Sequence, residues 1–139
     1  MMKLKWILLA TLALAFLAAA CSSAASQGQE GLPSFAYNSR ESTEGYRFAV
    51  DNQDLISQIP CYCGCSNLST GQNHKSLQNC YINDDGSFTD HASTCDICNK
   101  IALDVKAWKE QGSTVKSIRE RVDAKYNEYG EPTDTPPVQ

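Results

Sequence analysis

Seven cysteines and two histidines are spread unevenly along the 139-residue chain. Cys21 stands alone near the start. The other six fall into three groups: Cys61-Tyr62-Cys63-Gly64-Cys65, then Cys80, then Cys95-Asp96-Ile97-Cys98. His74 precedes Cys80, and His91 precedes Cys95. Sulfur and imidazole are the donors that soft and borderline metal ions select. A thiolate is also the nucleophile of disulfide exchange, and six cysteines can equally serve as three structural disulfides in a small exported domain. The alternating Cys-x-Cys-x-Cys run separates these uses. Neighbouring thiols compete for the same partners and close almost no useful loop, so they make poor staples. They can instead converge on one point, with Gly64 permitting a tight backbone path.

Cys95 and Cys98 open the longest amphipathic run and stand one helical turn apart, so their sulfurs share a face. Unpaired N–H groups and the positive end of the helix dipole favour thiolate there. Six thiolates exceed the four donors of one tetrahedral Zn²⁺, so a full set implies bridging sulfurs and more than one ion. The candidate ligands are Cys61, Cys63, Cys65, His74, Cys80, His91, Cys95 and Cys98. Thiolate softness points to Cu(I) first and to zinc second. Both methionines, Met1 and Met2, lie in the N-terminal segment, which leaves copper binding to thiols and imidazoles. The alternative is an extracytoplasmic thiol–disulfide oxidoreductase assisting cytochrome or oxidase assembly, with Cys95 or Cys98 attacking and a second cysteine resolving. Exchange needs only two cysteines, so the metal reading ranks above it. A c-type haem site needs Cys-x-x-Cys-His, and Asn99 follows Cys98. No Ser/His/Asp signature or Gly-rich helix start occurs, and no catalytic residue is assigned.

These residues need elements to gather them. Asp96 to Gln111 sets Ile97, Ile101, Val105 and Trp108 on one helical stripe, and Gly112 is a stop signal. Ser113 or Thr114 can cap a second helix in which Val115, Ile118, Val122 and Tyr126 share a face, ending near Gly130. The two-residue break implies an antiparallel αα-hairpin. Upstream, Tyr46 to Val50 and Asp54 to Ile59 read as one or two short helices closed by Pro60. No alternating run of strand length occurs, and Asp84-Asp85-Gly86-Ser87 reads as a turn. The expected fold is a small all-α helical bundle with an αα-hairpin at its C-terminal end and Cys-rich loops.

The folded domain is expected over residues 41–130, a size at which metal or disulfides often help a small core. Residues 1–20 read as a signal peptide: Lys3 and Lys5 precede an apolar stretch from Trp6 to Ala20, which is short for a membrane-spanning helix. Leu17-Ala18-Ala19-Ala20-Cys21 resembles the lipobox of bacterial lipoproteins and makes Cys21 the expected lipidation site, holding the protein at the membrane through acyl chains. Residues 21–40 read as a flexible spacer, small and polar with Gly28, Gly31 and Pro33. Residues 131–139 carry Pro132, Pro136 and Pro137 and read as a disordered tail. Cutting before Cys21 removes Lys3 and Lys5, leaving ten basic against sixteen acidic side chains and a formal net charge of −6. With no basic run, the chain lacks the electrostatic footprint of a nucleic-acid partner.

Pro60-Cys61-Tyr62-Cys63-Gly64-Cys65, together with His74-Lys75-Ser76-Leu77-Gln78-Asn79-Cys80 and His91-Ala92-Ser93-Thr94-Cys95-Asp96-Ile97-Cys98, resembles the bacterial PCYCGC-motif lipoproteins. The resemblance covers Tyr46 to Tyr129 and implies an exported, lipidated, Cys-rich protein located outside the cytoplasm. Ala102 to Gly130 is more distantly similar to the helical end of the small thiol subunit of cytochrome c maturation, a three-helix fold with Cys-x-x-Cys in its first loop. Cys-x-Cys-x-Cys stands in that place here, so the dithiol mechanism does not carry over. The expected partners are a metal-receiving protein on the metal reading, or a cytochrome or oxidase assembly protein on the thiol-exchange reading.

Overall fold

The computed structural model describes residues 31–64 and 74–138. Residues 1–20, expected to be a signal peptide, lie outside the described residues, as do Cys21 and Cys65. Four α-helices occur among them: α1 (Arg40–Asp51), α2 (Gln53–Ile56), α3 (Asp96–Glu110) and α4 (Val115–Tyr126). Short 3₁₀ turns at Ser34–Tyr37, Leu77–Cys80 and His91–Ser93 supplement them. The fold is all-α. Extended pairing among the described residues is a single antiparallel bridge, Ile82 with Phe88, closed by the turn at Asp84 to Ser87, where Gly86 N–H donates to Asn83 O at 2.9 Å.

The helix pair α3–α4 matches its sequence pattern closely. Thr114 Oγ1 accepts from Ser117 N–H and so satisfies one of the unpaired donors at the start of α4. Ile101, Val105, Ile118, Val122 and Tyr126 are buried, and Ile97 and Trp108 pack on the core margin. Tyr126 Oη donates to Asp104 Oδ2 at 2.6 Å, while the Arg121 guanidinium lies 5.4 Å from the Trp108 ring centre. The later α4 residue Tyr126 thus meets the earlier α3 residue Asp104, and the earlier Arg121 meets the later Trp108, which is the antiparallel register of a hairpin.

Helix α1 begins earlier than apolar spacing suggests, at Arg40, where Ser39 Oγ accepts from Ser42 N–H at 2.9 Å. Its buried face is built from Ser42, Gly45, Tyr46, Phe48 and Ala49. Small and hydroxylated side chains on that face hide the helical period from a hydrophobicity count. Smallness serves close packing of α1 against α3. A Cβ on Gly45 would meet Tyr81 Oη at 2.9 Å and Asn99 Oδ1 at 3.0 Å.

Two segments outside residues 41–130 also belong to the packed unit. Ala36 is fully buried in the 3₁₀ turn ahead of α1, so the end of the expected spacer is structured. The tail expected to be disordered is held in place. Thr133 N–H donates to Cys61 O and Cys61 N–H donates to Thr133 Oγ1, both at 2.9 Å. Thr135 Oγ1 donates to Lys75 O at 2.6 Å, and Arg119 donates to the carbonyls of Gln58, Thr135 and Pro136. Pro residues restrict the unfolded chain and so lower the entropy lost on ordering. The tail forms a strap across the start of the Cys-rich motif.

Candidate metal centre

Three stretches of chain bring thiols to one place, and a fourth brings an imidazole. Cys61 and Cys63 lie on the loop that follows α2, Cys80 closes the 3₁₀ turn Leu77–Cys80, and Cys95 and Cys98 occupy the N-cap and first turn of α3. Between them, the turn His91–Ser93 delivers His91. Local hydrogen bonds set each approach. Leu77 N–H donates to Ile59 O at 2.8 Å, tying the Cys80 turn to the residues just ahead of Pro60. Tyr62 Oη donates to Asp123 Oδ1 at 2.7 Å, which pins the motif onto α4. Gly64 has φ +76°, a left-handed conformation that glycine adopts without strain, as the tight path of the motif requires.

The ligand atoms gather into two sets of four. Cys61, Cys63, Cys80 and Cys98 form one; Cys63, His91, Cys95 and Cys98 form the other; within each, all ligand atoms lie within 4.8 Å of one another. Cys61 Sγ and Cys98 Sγ are 3.6 Å apart, and Cys63 Sγ lies 4.0 Å from His91 Nε2. A disulfide bond is about 2.05 Å long, so the first is a contact between thiols. With Zn–S bonds of about 2.3 Å, the edge of a tetrahedral site is about 3.8 Å. These two separations are close to that edge. These clusters can hold a metal ion.

Burial differs across the site. Cys61, Cys80 and Cys98 are buried, whereas Cys63, His91 and Cys95 are half-buried. Cys63 is held well below the ordinary thiol range because Cys61, and then Cys80, Cys95 and Cys98, donate to its sulfur. Cys98 is pushed well above that range by its hydrogen bonds to Cys61, Cys63, Cys80 and Cys95, with burial adding to the effect. Its place in the first turn of α3 does not lower it. Cys80 is also pushed up, by Cys61 and Cys63 and by burial. The His91 ring is raised to about 10 by Cys63 and then Cys95. The two shifts are opposite in sign, the thiolate being favoured at Cys63 and the protonated ring at His91, 4.0 Å away.

Of the expected ligands, the structure brings together Cys61, Cys63, Cys80, His91, Cys95 and Cys98. His74 lies beside both sets rather than in either, with its buried Nδ1 3.8 Å from Cys80 Sγ and its ring edge-on to His91 at 4.7 Å. Cys65 lies outside the described residues. Two residues that support the site carry no motif of their own. Asn99 donates to Ala92 O at 2.9 Å and accepts from Tyr81 Oη at 3.0 Å, linking the His91 turn and the Cys80 segment to α3. Thr133 holds the Cys61 backbone on both its N–H and C=O sides. An Asn directly after Cys98, inside a helix where Asn is a weak former, is the signal that could have pointed to the first.

A family model described as a protein of unknown function with PCYCGC motif matches residues 22–138. The chain belongs to this PCYCGC family. Of its eponymous residues, Cys61 belongs to one set and Cys63 to both, and the match also spans Cys80, Cys95, Cys98 and the strap. No curated protein and no solved structure matches the chain. The likeness of Ala102 to Gly130 to the small thiol subunit of cytochrome c maturation therefore finds no support.

Proposed function

We propose that this PCYCGC protein is an exported lipoprotein that binds soft metal ions, Cu(I) ahead of Zn²⁺, and passes them to an acceptor protein outside the cytoplasm. The observation that carries this reading is the convergence of five thiols and an imidazole into two overlapping sets of four, the ligand atoms of each lying within 4.8 Å of one another. Thiolate softness orders the metals. Membrane attachment rests on the lipobox-like Leu17 to Cys21. Disulfide exchange needs only two cysteines, whereas five thiols converge here; of its two candidate attackers, Cys98 is fully buried and Cys95 is half-buried.

The test pairs metal titration with fractionation. Protein from residues 22–139, purified anaerobically with reductant, is titrated with Cu(I) and with Zn²⁺ against competing chelators. Binding of at least one ion per chain is expected. Failure to retain either metal, with catalytic turnover of a disulfide substrate, establishes the oxidoreductase instead. In the full-length protein, Cys21→Ser should move the protein from membranes to the soluble fraction; a variant that stays membrane-bound refutes the anchor.

A further inference from the structure

The two four-donor sets are not separate sites. They share Cys63 and Cys98, while Cys61 and Cys80 occur only in the first and His91 and Cys95 only in the second. Six donors therefore complete two tetrahedral sites if the two shared sulfurs bridge, which thiolates can do because each sulfur has more than one lone pair. Their surroundings also differ. In the first set Cys61 is 1 % exposed, Cys80 0 % and Cys98 0 %; in the second, Cys63, His91 and Cys95 are all half-buried. An ion leaves a thiolate site by stepwise replacement of its donors by protons or by an incoming ligand. That sequence needs access for the replacing group. The first set admits it only at Cys63, whereas the second admits it at three of its four donors.

We infer that the cluster is a two-ion centre bridged by Cys63 and Cys98, in which the ion held by Cys61 and Cys80 is retained and the ion held by His91 and Cys95 is exchanged. This rests on the metal-binding reading above and adds nuclearity and a division of labour to it. The retained ion holds the loop after α2, the Cys80 turn and the start of α3 in place; the exchangeable ion is the cargo. Each cysteine thiol that binds releases its proton to solvent. The single imidazole falls on the exchangeable side, where a neutral donor binds a soft cation less tightly than a fourth thiolate would.

Wild-type protein is loaded anaerobically with Zn²⁺, and release to a chromophoric chelator in excess is followed in time. Two phases of one ion each are expected, the first at least tenfold faster. Cys95→Ser, on the half-buried side, should abolish the fast phase and keep the slow ion. Cys80→Ser should retain at most the fast-exchanging ion. Because Cys80 is buried and its variant can fail to fold, the wild type is also loaded with ¹¹³Cd²⁺ for NMR. Two resonances with scalar coupling across shared sulfur are expected. A single bound ion, or two uncoupled resonances, overturns the bridged centre and leaves the metal-binding function standing. Release of two ions in one phase, or loss of the slow ion in Cys95→Ser, overturns the division of labour. Retention of no ion defeats the metal-binding function itself.

Discussion

Replacing Thr133 by Val tests whether the C-terminal strap positions the cysteine cluster. Val keeps the shape of Thr and removes only the hydroxyl that accepts from the buried Cys61 N–H at 2.9 Å and contacts Thr135 Oγ1 at 2.9 Å. Thr135 keeps its bond to Lys75 O, so its hydroxyl is not orphaned. Cys61 N–H is orphaned, because no other acceptor meets it among the described residues. A buried donor left without a partner costs about 1–3 kcal/mol. Urea m-values of small domains run at roughly 1–3 kcal/mol per molar, so a loss of about 2 kcal/mol lowers the unfolding midpoint by on the order of 1 M. The assay is urea unfolding followed by circular dichroism, on wild type, Thr133→Val and Thr133→Ser in parallel. Ser restores the acceptor and should recover most of the loss. Metal affinity should fall with stability in Thr133→Val, because Cys61 Sγ lies 3.6 Å from the shared Cys98 sulfur and a loosened Cys61 backbone widens that edge. An unchanged midpoint, or equal losses in the Val and Ser variants, would refute the idea that this hydroxyl holds the motif.

Gly45→Ala sets helix propensity against packing. Alanine gains about 1 kcal/mol over glycine inside a helix, but its Cβ would stand 2.9 Å from Tyr81 Oη and 3.0 Å from Asn99 Oδ1. Forcing those buried groups apart costs about 1–3 kcal/mol, so net destabilisation is expected in thermal melts, and a more stable variant contradicts the close packing. The His91 ring, raised to about 10 by Cys63 and Cys95, should remain imidazolium through neutral pH in protein stripped of metal. Its folded-state pKa exceeds the ordinary 6.5, so the stability it contributes is complete below about pH 6.5 and disappears as pH rises through about 10. NMR titration of the ring protons checks this, and a midpoint near 6.5 rules it out.

Much of the fold is legible where the information is local. The stripe Ile101, Val105 and the face Ile118, Val122, Tyr126 announce α3 and α4, Thr114 announces a cap, and Gly112 announces the break between them. The start of α1 is less legible, because its buried face uses Ser42, Gly45 and Ala49, residues whose role is to let another element approach. The strap is illegible for a different reason. Three prolines in nine residues look the same in a free tail and in an extended segment bound to a neighbour, and the neighbour, Cys61, lies 72 residues away.

The sequence by itself determined which donors are present: thiols and imidazoles numerous enough to hold a metal ion, in a Cys-x-Cys-x-Cys run unsuited to stapling, among segments of helical period. Donor type and local spacing are properties of residues and their immediate neighbours, so they survive in one dimension. Only the tertiary structure decided which donors meet. It placed Cys61, Cys63, Cys80, Cys98 and Cys63, His91, Cys95, Cys98 in two overlapping sets, left His74 beside them, and buried one side more deeply than the other. Those outcomes depend on contacts such as Thr133 with Cys61, Tyr62 with Asp123 and Asn99 with Ala92. Spacing along the chain does not encode the distance between donors on different loops; that distance is set by the packing and hydrogen bonds that bring the loops together.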